Sequence, residues 1–184
     1  MNPTELNTLR RSLWLTREQA GKLNGMTERS WRYLEDGTRA IPQDVQARMR
    51  ALDATANAMA DAAWDEYGNL TVRRIDQPAI EWTDIKAVLL RYADADDIAR
   101  LDHPEIVDLP VDLHAAAIDR ARILLEGEGA TVRIVLFDPV AYRDWIAVNG
   151  LADNSAIRAA WAATVADPAP KLGGKQASGE DSAE

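Results

Sequence analysis

The chain has 184 residues, 47% hydrophobic and 28% charged, with no cysteine, which suits one ordinary domain or two small ones of soluble globular composition. No apolar run is long enough for a membrane span, the start Met1–Glu5 lacks the basic flank and apolar core of a secretion signal, and disulfides and thiolate metal sites are excluded, so a cytoplasmic protein is expected. The net charge of −9 is split unevenly: residues 1–50 hold nine basic and six acidic side chains, residues 51–184 hold twelve and twenty-four.

The first third reads as helices with clear punctuation. Asn2-Pro3-Thr4-Glu5 is a capping box with proline at the first helical position, and Leu6, Leu9 and Leu13 follow on one face. Thr16-Arg17-Glu18-Gln19 starts a second, short helix through Ala20 and Leu23, broken by Asn24-Gly25. Thr27 caps a third helix, with Trp31 and Leu34 as its apolar face and Asp36-Gly37 as its end. After the loop Thr38–Ile41, Pro42 opens a fourth helix predicted to run to about Tyr67. On it Val45, Met49, Leu52, Ala56, Met59 and Ala63 recur at spacings of 4, 3, 4, 3 and 4, the seam of a heptad. Such a stripe packs on another domain or on a second copy of the chain; Val45, Met49, Leu52 and Met59 are its candidate dimerisation residues.

From Gly68 the pattern changes. Residues 67–86 read as a linker with one short strand at Leu70–Ile75. Ala87–Tyr92 reads as a strand, Asp94–Asp102 as a short acidic-capped helix and Val111–Glu128 as a longer helix. Thr131–Phe137 has the β-branched character of a buried strand, Asp138-Pro139 starts a helix through Tyr142, Trp145 and Ile146, and Asn154–Val165 is a last helix. Residues 167–184 are expected to be a disordered tail.

Thr16–Gly37 has the layout of a helix-turn-helix. Two helices that meet steeply across so short a turn need a tiny residue at closest approach, Gly21, and one tolerant of positive φ in the turn, Gly25, followed by the apolar anchor Met26. Trp31 and Leu34 fix the second helix on the core and leave Glu28, Arg29, Arg32 and Tyr33 facing out. A helix so presented fits the DNA major groove, where Arg pairs in bidentate fashion with guanine.

The stretch Thr16 to Pro42, ending Trp31-Arg-Tyr-Leu-Glu35-Asp-Gly37-Thr-Arg39-Ala-Ile-Pro42, resembles the Cro/CI-type (XRE) helix-turn-helix regulators. It is most similar to the branch of YdiL-like proteins and the second type of anti-CRISPR-associated autoregulators. The XRE resemblance covers about residues 2–66; Leu90-Arg-Tyr92-Ala-Asp94 and Arg133–Asp138 extend it more weakly. Gly21 stands where Ala is usual, and Glu28 puts an acid at a groove-facing position, where it would read cytosine N4 or repel phosphate.

The resemblance implies a mainly α fold: a lambda-repressor-like domain of four to five helices over residues 1–66, and a small α+β domain over 87–166 for dimerisation or partner binding. It implies a dimeric repressor or autorepressor on an inverted-repeat operator in double-stranded DNA, with Glu28, Arg29, Arg32 and Tyr33 towards bases. Arg17, Thr27, Thr38 and Arg39 would meet phosphates.

Other readings of the same residues stand beside this one. Arg32 at helical spacing from Glu28 and Asp36 is also a plain surface ion pair, and Tyr33 packs on the loop as readily as on DNA. Asp94, Asp96, Asp97 and Asp102 read as a helix cap and solvated face rather than a hard-metal site, and His103 and His114 have no catalytic companion at a telling spacing. Gly127 and Gly129 sit between helix and strand, the reverse of the dinucleotide-binding order. No enzyme, metal or cofactor is expected. The alternative to a simple repressor is an antitoxin-like or ligand-sensing regulator. Its C-terminal domain would bind a protein or a small molecule, with Tyr92, Tyr142, Trp145 and Trp161 lining a pocket or forming core.

Overall fold

The computed structural model of the protein describes residues 1–71, 80–99 and 110–167. Four helices open the chain: α1 (Pro3–Ser12), α2 (Arg17–Leu23), α3 (Glu28–Glu35) and α4 (Gln43–Thr71). Each of the first three starts at a side-chain cap. Asn2 and Thr16 each form a full capping box, and Thr27 accepts from the Ser30 amide. Leu6, Leu13 and Leu15 then meet Ala20, Trp31 and Leu34 against Val45, Met49 and Leu52 of α4. Trp31, Leu6, Leu13 and Met49 are wholly buried, and each such side chain stabilises the packed state by about 1.5–3 kcal/mol.

The second half contains a short 3-10 turn (Trp82–Asp84), β1 (Lys86–Arg91), α5 (Ala95–Ala99), α6 (Val111–Glu128), β2 (Thr131–Leu136), α7 (Pro139–Asn149) and α8 (Ser155–Ala166). The two strands are parallel, in register from Lys86 opposite Thr131 to Arg91 opposite Leu136. Helix α6 covers one face, with Ala121 and Leu125 beside Ala87 and Leu89. Helix α8 covers the other, with Trp161 and Ala162 beside Val135 and Tyr92. The outer edge of β1 is closed by Tyr67 of α4, whose hydroxyl accepts from the Val88 amide at 2.9 Å and donates to the Val88 carbonyl at 3.0 Å. The architecture is the mainly helical one expected, with a small α/β part. Among the described residues no helix is long and apolar enough to cross a membrane.

The seam on α4 has its partner within the same chain. Val45, Met49 and Leu52 are buried among α1, α2 and α3, and α6 closes the same cluster with Leu113 and Ala117. Assigning these three residues to a dimer interface is therefore corrected: packing on another part of the chain has used the surface that dimerisation would need. Met59 is half-buried where the N-terminal cluster meets the cluster around Tyr92. Two polar links reinforce the α6 contact. Arg120 donates to Asp53 Oδ1 at 2.8 Å and Asn57 Oδ1 at 2.6 Å, and Gln19 Nε2 donates to Asp112 Oδ2 at 2.6 Å.

Helix α4 runs further than periodicity predicts. Leu70 and Thr71 are its last residues, not the start of a strand; the rest of the Leu70–Ile75 expectation lies outside the described residues. Tertiary contacts carry the helix past Gly68: Trp64 and Trp82 stack with ring centroids 5.8 Å apart, and both rings approach Gly68. The helix expected over Asp94–Asp102 is seen as Ala95–Ala99, with Asp94 Oδ1 accepting from the Asp96 amide at 2.9 Å. Asp102, His103 and the tail from residue 168 lie outside the described residues.

Candidate nucleic-acid interface

Helices α2 and α3 meet where the chain has no side chain to spare. A Cβ on Gly21 would sit 2.9 Å from the Met26 carbonyl oxygen, closer than real contacts come. Glycine at this position therefore fits an approach of α2 to the turn before α3 that a methyl could enter only if the backbone shifted. Gly25 takes φ +67°, the left-handed conformation that lets the chain reverse before Met26. Trp31 and Leu34 bury one side of α3, so the other side must face outward.

Behind α3 lies a charged anchor. Glu35 is buried, with its side chain 1% exposed, yet carries three donors: Arg10 Nε to Oε1 at 2.6 Å, Trp31 Nε1 to Oε1 at 2.9 Å and Arg17 Nε to Oε2 at 2.7 Å. Burial alone would raise the Glu35 carboxyl. The hydrogen bonds from Arg10, Arg17 and Trp31 outweigh it and hold the group below the ordinary carboxylate value. Arg10 also donates to the Leu15 carbonyl at 2.7 Å, tying the turn before α2 to the same carboxylate. The network fixes α3 to α1 and α2 and is the main feature of the site that sequence reasoning missed. It joins residues 25 and 18 positions apart, beyond the reach of any local pattern.

On the outward face Glu28, Arg29, Arg32 and Tyr33 line one open concavity of about 470 Å³. Arg29 Nε donates to the Tyr33 hydroxyl at 2.8 Å. The Arg39 guanidinium lies 5.2 Å from the Tyr33 ring centroid, and the Arg39 amide donates to the Tyr33 carbonyl at 3.1 Å, so the loop after α3 is held against the helix. Tyr33 therefore does pack on the loop, but between two cations. Arg32 pairs with Asp36 at 3.3 Å, with both side chains exposed. Such a pair is worth about 0–1 kcal/mol, so a stronger anion can take the guanidinium. Glu28 is exposed in the first turn of α3, and Thr38 is exposed in the loop.

Two of the phosphate candidates have framework roles. Arg17 is half-buried and binds Glu35 through its Nε, and Thr27 is the cap of α3. In the C-terminal half, Tyr142 and Trp161 pack with Phe137 as core, and Trp145 is half-buried against them. This cluster surrounds the buried Arg158, which is held by Asp153 at 2.8 and 2.7 Å and lies 4.8 Å from the Phe137 centroid. Of the four aromatic residues weighed as pocket lining, Tyr92 borders a cleft of about 210 Å³, together with Tyr67, His114 and Ser155. Among the described residues no group of three or more His, Asp or Glu is placed to hold a metal ion.

The same two-helix unit, long helix and first strand are what a family model recognises: the model for Aca2/YdiL-like proteins matches residues 1–113. The chain belongs to the Aca2/YdiL-like family. Membership points to a regulatory DNA-binding protein, and the match runs through β1 to the start of α6, so it takes in more than the helix-turn-helix. No curated protein matches the chain at a significant level.

Proposed function

We propose that this protein is a sequence-specific transcriptional regulator without enzymatic activity, which acts in the cytoplasm as a dimer on an inverted-repeat operator and represses transcription. The observation that carries the reading is the α3 surface. Two arginines and a tyrosine project from a short helix whose opposite side is locked by Trp31, Leu34 and the Glu35 network. In the major groove Arg29, Arg32, Tyr33 and Glu28 meet base edges, while Arg39, Thr38 and the outer nitrogens of Arg17 meet phosphates.

One half-site read by so few side chains discriminates poorly, since each good base contact gives about 1–3 kcal/mol. A second copy supplies the other half-site, at a centre-to-centre spacing of roughly 34 Å. With the α4 seam buried, the surface that suits a second copy is the outer edge of β2. There Val132, Ile134 and Leu136 direct backbone groups away from β1, and Ile134 and Leu136 are exposed. Antiparallel pairing about Ile134 sets Val132 opposite the partner copy's Leu136, an all-apolar match on one face, and joins two small sheets into one of four strands.

Selection of bound duplexes from a random pool tests the reading. A palindromic motif with half-sites about one turn apart is expected, and Arg29→Ala and Arg32→Ala should each lose discrimination at defined base pairs while melting like the wild type. Unaltered operator preference in both variants would sink the assignment of α3.

A further inference from the structure

The turn between α1 and α2 holds a residue that the framework does not explain. Trp14 takes φ +60°, the one non-glycine residue in the left-handed region among those described, and its side chain stays 41% exposed. A bulky residue held there costs on the order of 1–3 kcal/mol, and here no full burial offsets it. The guanidinium of Arg91, at the end of β1, lies 5.0 Å from the Trp14 ring centroid, so the second half of the chain places a cation on an indole of the first.

The turn is flanked in sequence by two arginines. Arg11 is exposed three residues before Trp14, and Arg17, half-buried on Glu35, follows three residues after it; the exposed acid nearby in sequence is Glu18. The turn is pinned to the recognition helix as well, because the Leu15 carbonyl accepts from Arg10, which also binds Glu35 of α3. In a helix-turn-helix the first helix of the pair crosses the nucleic-acid backbone, so the residues just before α2 lie beside phosphates.

We propose that Trp14 and Arg91 form a second DNA contact, on the sugar-phosphate backbone next to the half-site, through which the C-terminal module takes part in binding. The guanidinium pairs with a phosphate, and the indole N–H donates to a neighbouring phosphate oxygen while its ring keeps Arg91 in place. The strained conformation of Trp14 holds the indole at the surface. This inference rests on the DNA-binding reading above and adds residues to it that read no sequence.

The test uses the full chain and the duplex recovered by selection, with a scrambled duplex as control. Arg91→Ala should weaken binding to both duplexes several-fold and make the slope of log affinity against log salt shallower by about 0.9, the release from one phosphate; Arg91→Lys should keep the slope. Trp14→Gly relieves the backbone strain, so it should melt at or above the wild-type temperature and still bind several-fold more weakly. An Arg91→Ala variant with wild-type affinity and slope would overturn the proposal. So would a Trp14→Gly variant that loses thermal stability and keeps its affinity, since the pair would then be a latch between the two halves. Loss of binding to single-stranded DNA alone, with duplex binding intact, would also overturn it. A wild-type protein that selects no duplex refutes the functional reading itself, whereas failure of the Trp14 and Arg91 variants alone leaves that reading standing.

Discussion

Replacing Glu35 by Gln keeps the shape of the buried side chain and removes its charge. The carboxylate accepts from Arg10 and Trp31 on one oxygen and from Arg17 on the other. The amide retains one oxygen, and its NH2 group must face a guanidinium donor, so one bond is lost and Arg10, whose side chain is 12% exposed, loses its counter-ion. Removing one partner from a buried ion pair costs about 3–5 kcal/mol, a large part of the roughly 5–15 kcal/mol that holds an ordinary domain. Urea unfolding at pH 7 should show that loss for Glu35→Gln. The folded protein holds Glu35 below its ordinary carboxylate value, so its contribution is present above that value and disappears as pH falls through the folded one. The gap between wild type and variant should therefore be widest near neutrality and shrink steadily below about pH 4.5. A gap under about 1 kcal/mol, or one independent of pH, would refute the reasoning.

Gly21→Ala puts a methyl against the Met26 carbonyl and should destabilise by about 1–3 kcal/mol in the same unfolding assay; a neutral result would mean that the two helices separate freely. Arg39→Ala should weaken operator and scrambled duplexes alike and flatten the salt slope by about 0.9, measured by fluorescence anisotropy; a loss confined to one sequence would make Arg39 a base reader. Ile134→Asp, at a side chain already 42% exposed, should leave the fold intact and give a monomer in sedimentation at micromolar concentration, whereas a persistent dimer would move the interface off the β2 edge.

Much of the N-terminal half was legible because its signals are local. Asn2 with Glu5 and Thr16 with Gln19 are reciprocal bonds three residues apart, and Gly21 and Gly25 mark a close approach and a left-handed turn that a short linear segment specifies by itself. The α4 stripe was legible as a stripe but not as to its partner, because apolar periodicity states that a face is buried and not against what. Glu35 was hidden for a related reason: a charged residue next to Asp36 at the end of a helix reads as surface, and only the convergence of Arg10, Arg17 and Trp31 from three helices makes burial tolerable. Arg158 follows the same logic, since its guanidinium is neutralised by Asp153 within an aromatic shell that forms only in the folded chain.

The α6 contact bears on how the two halves work together. Leu113 and Ala117 complete the cluster that holds Trp31 and Leu34, while Arg120 reaches Asp53 and Asn57 and Asp112 holds Gln19 of α2. Cutting the chain after α4 would strip this cover and expose part of the same apolar face that positions α3, so such a truncation should melt below the full chain. If two copies do pair through β2 as proposed, the packing of α6 on α4 and of α4 on α3 gives their recognition surfaces a fixed relation, and the Ile134→Asp variant should then lose the half-site spacing along with the dimer.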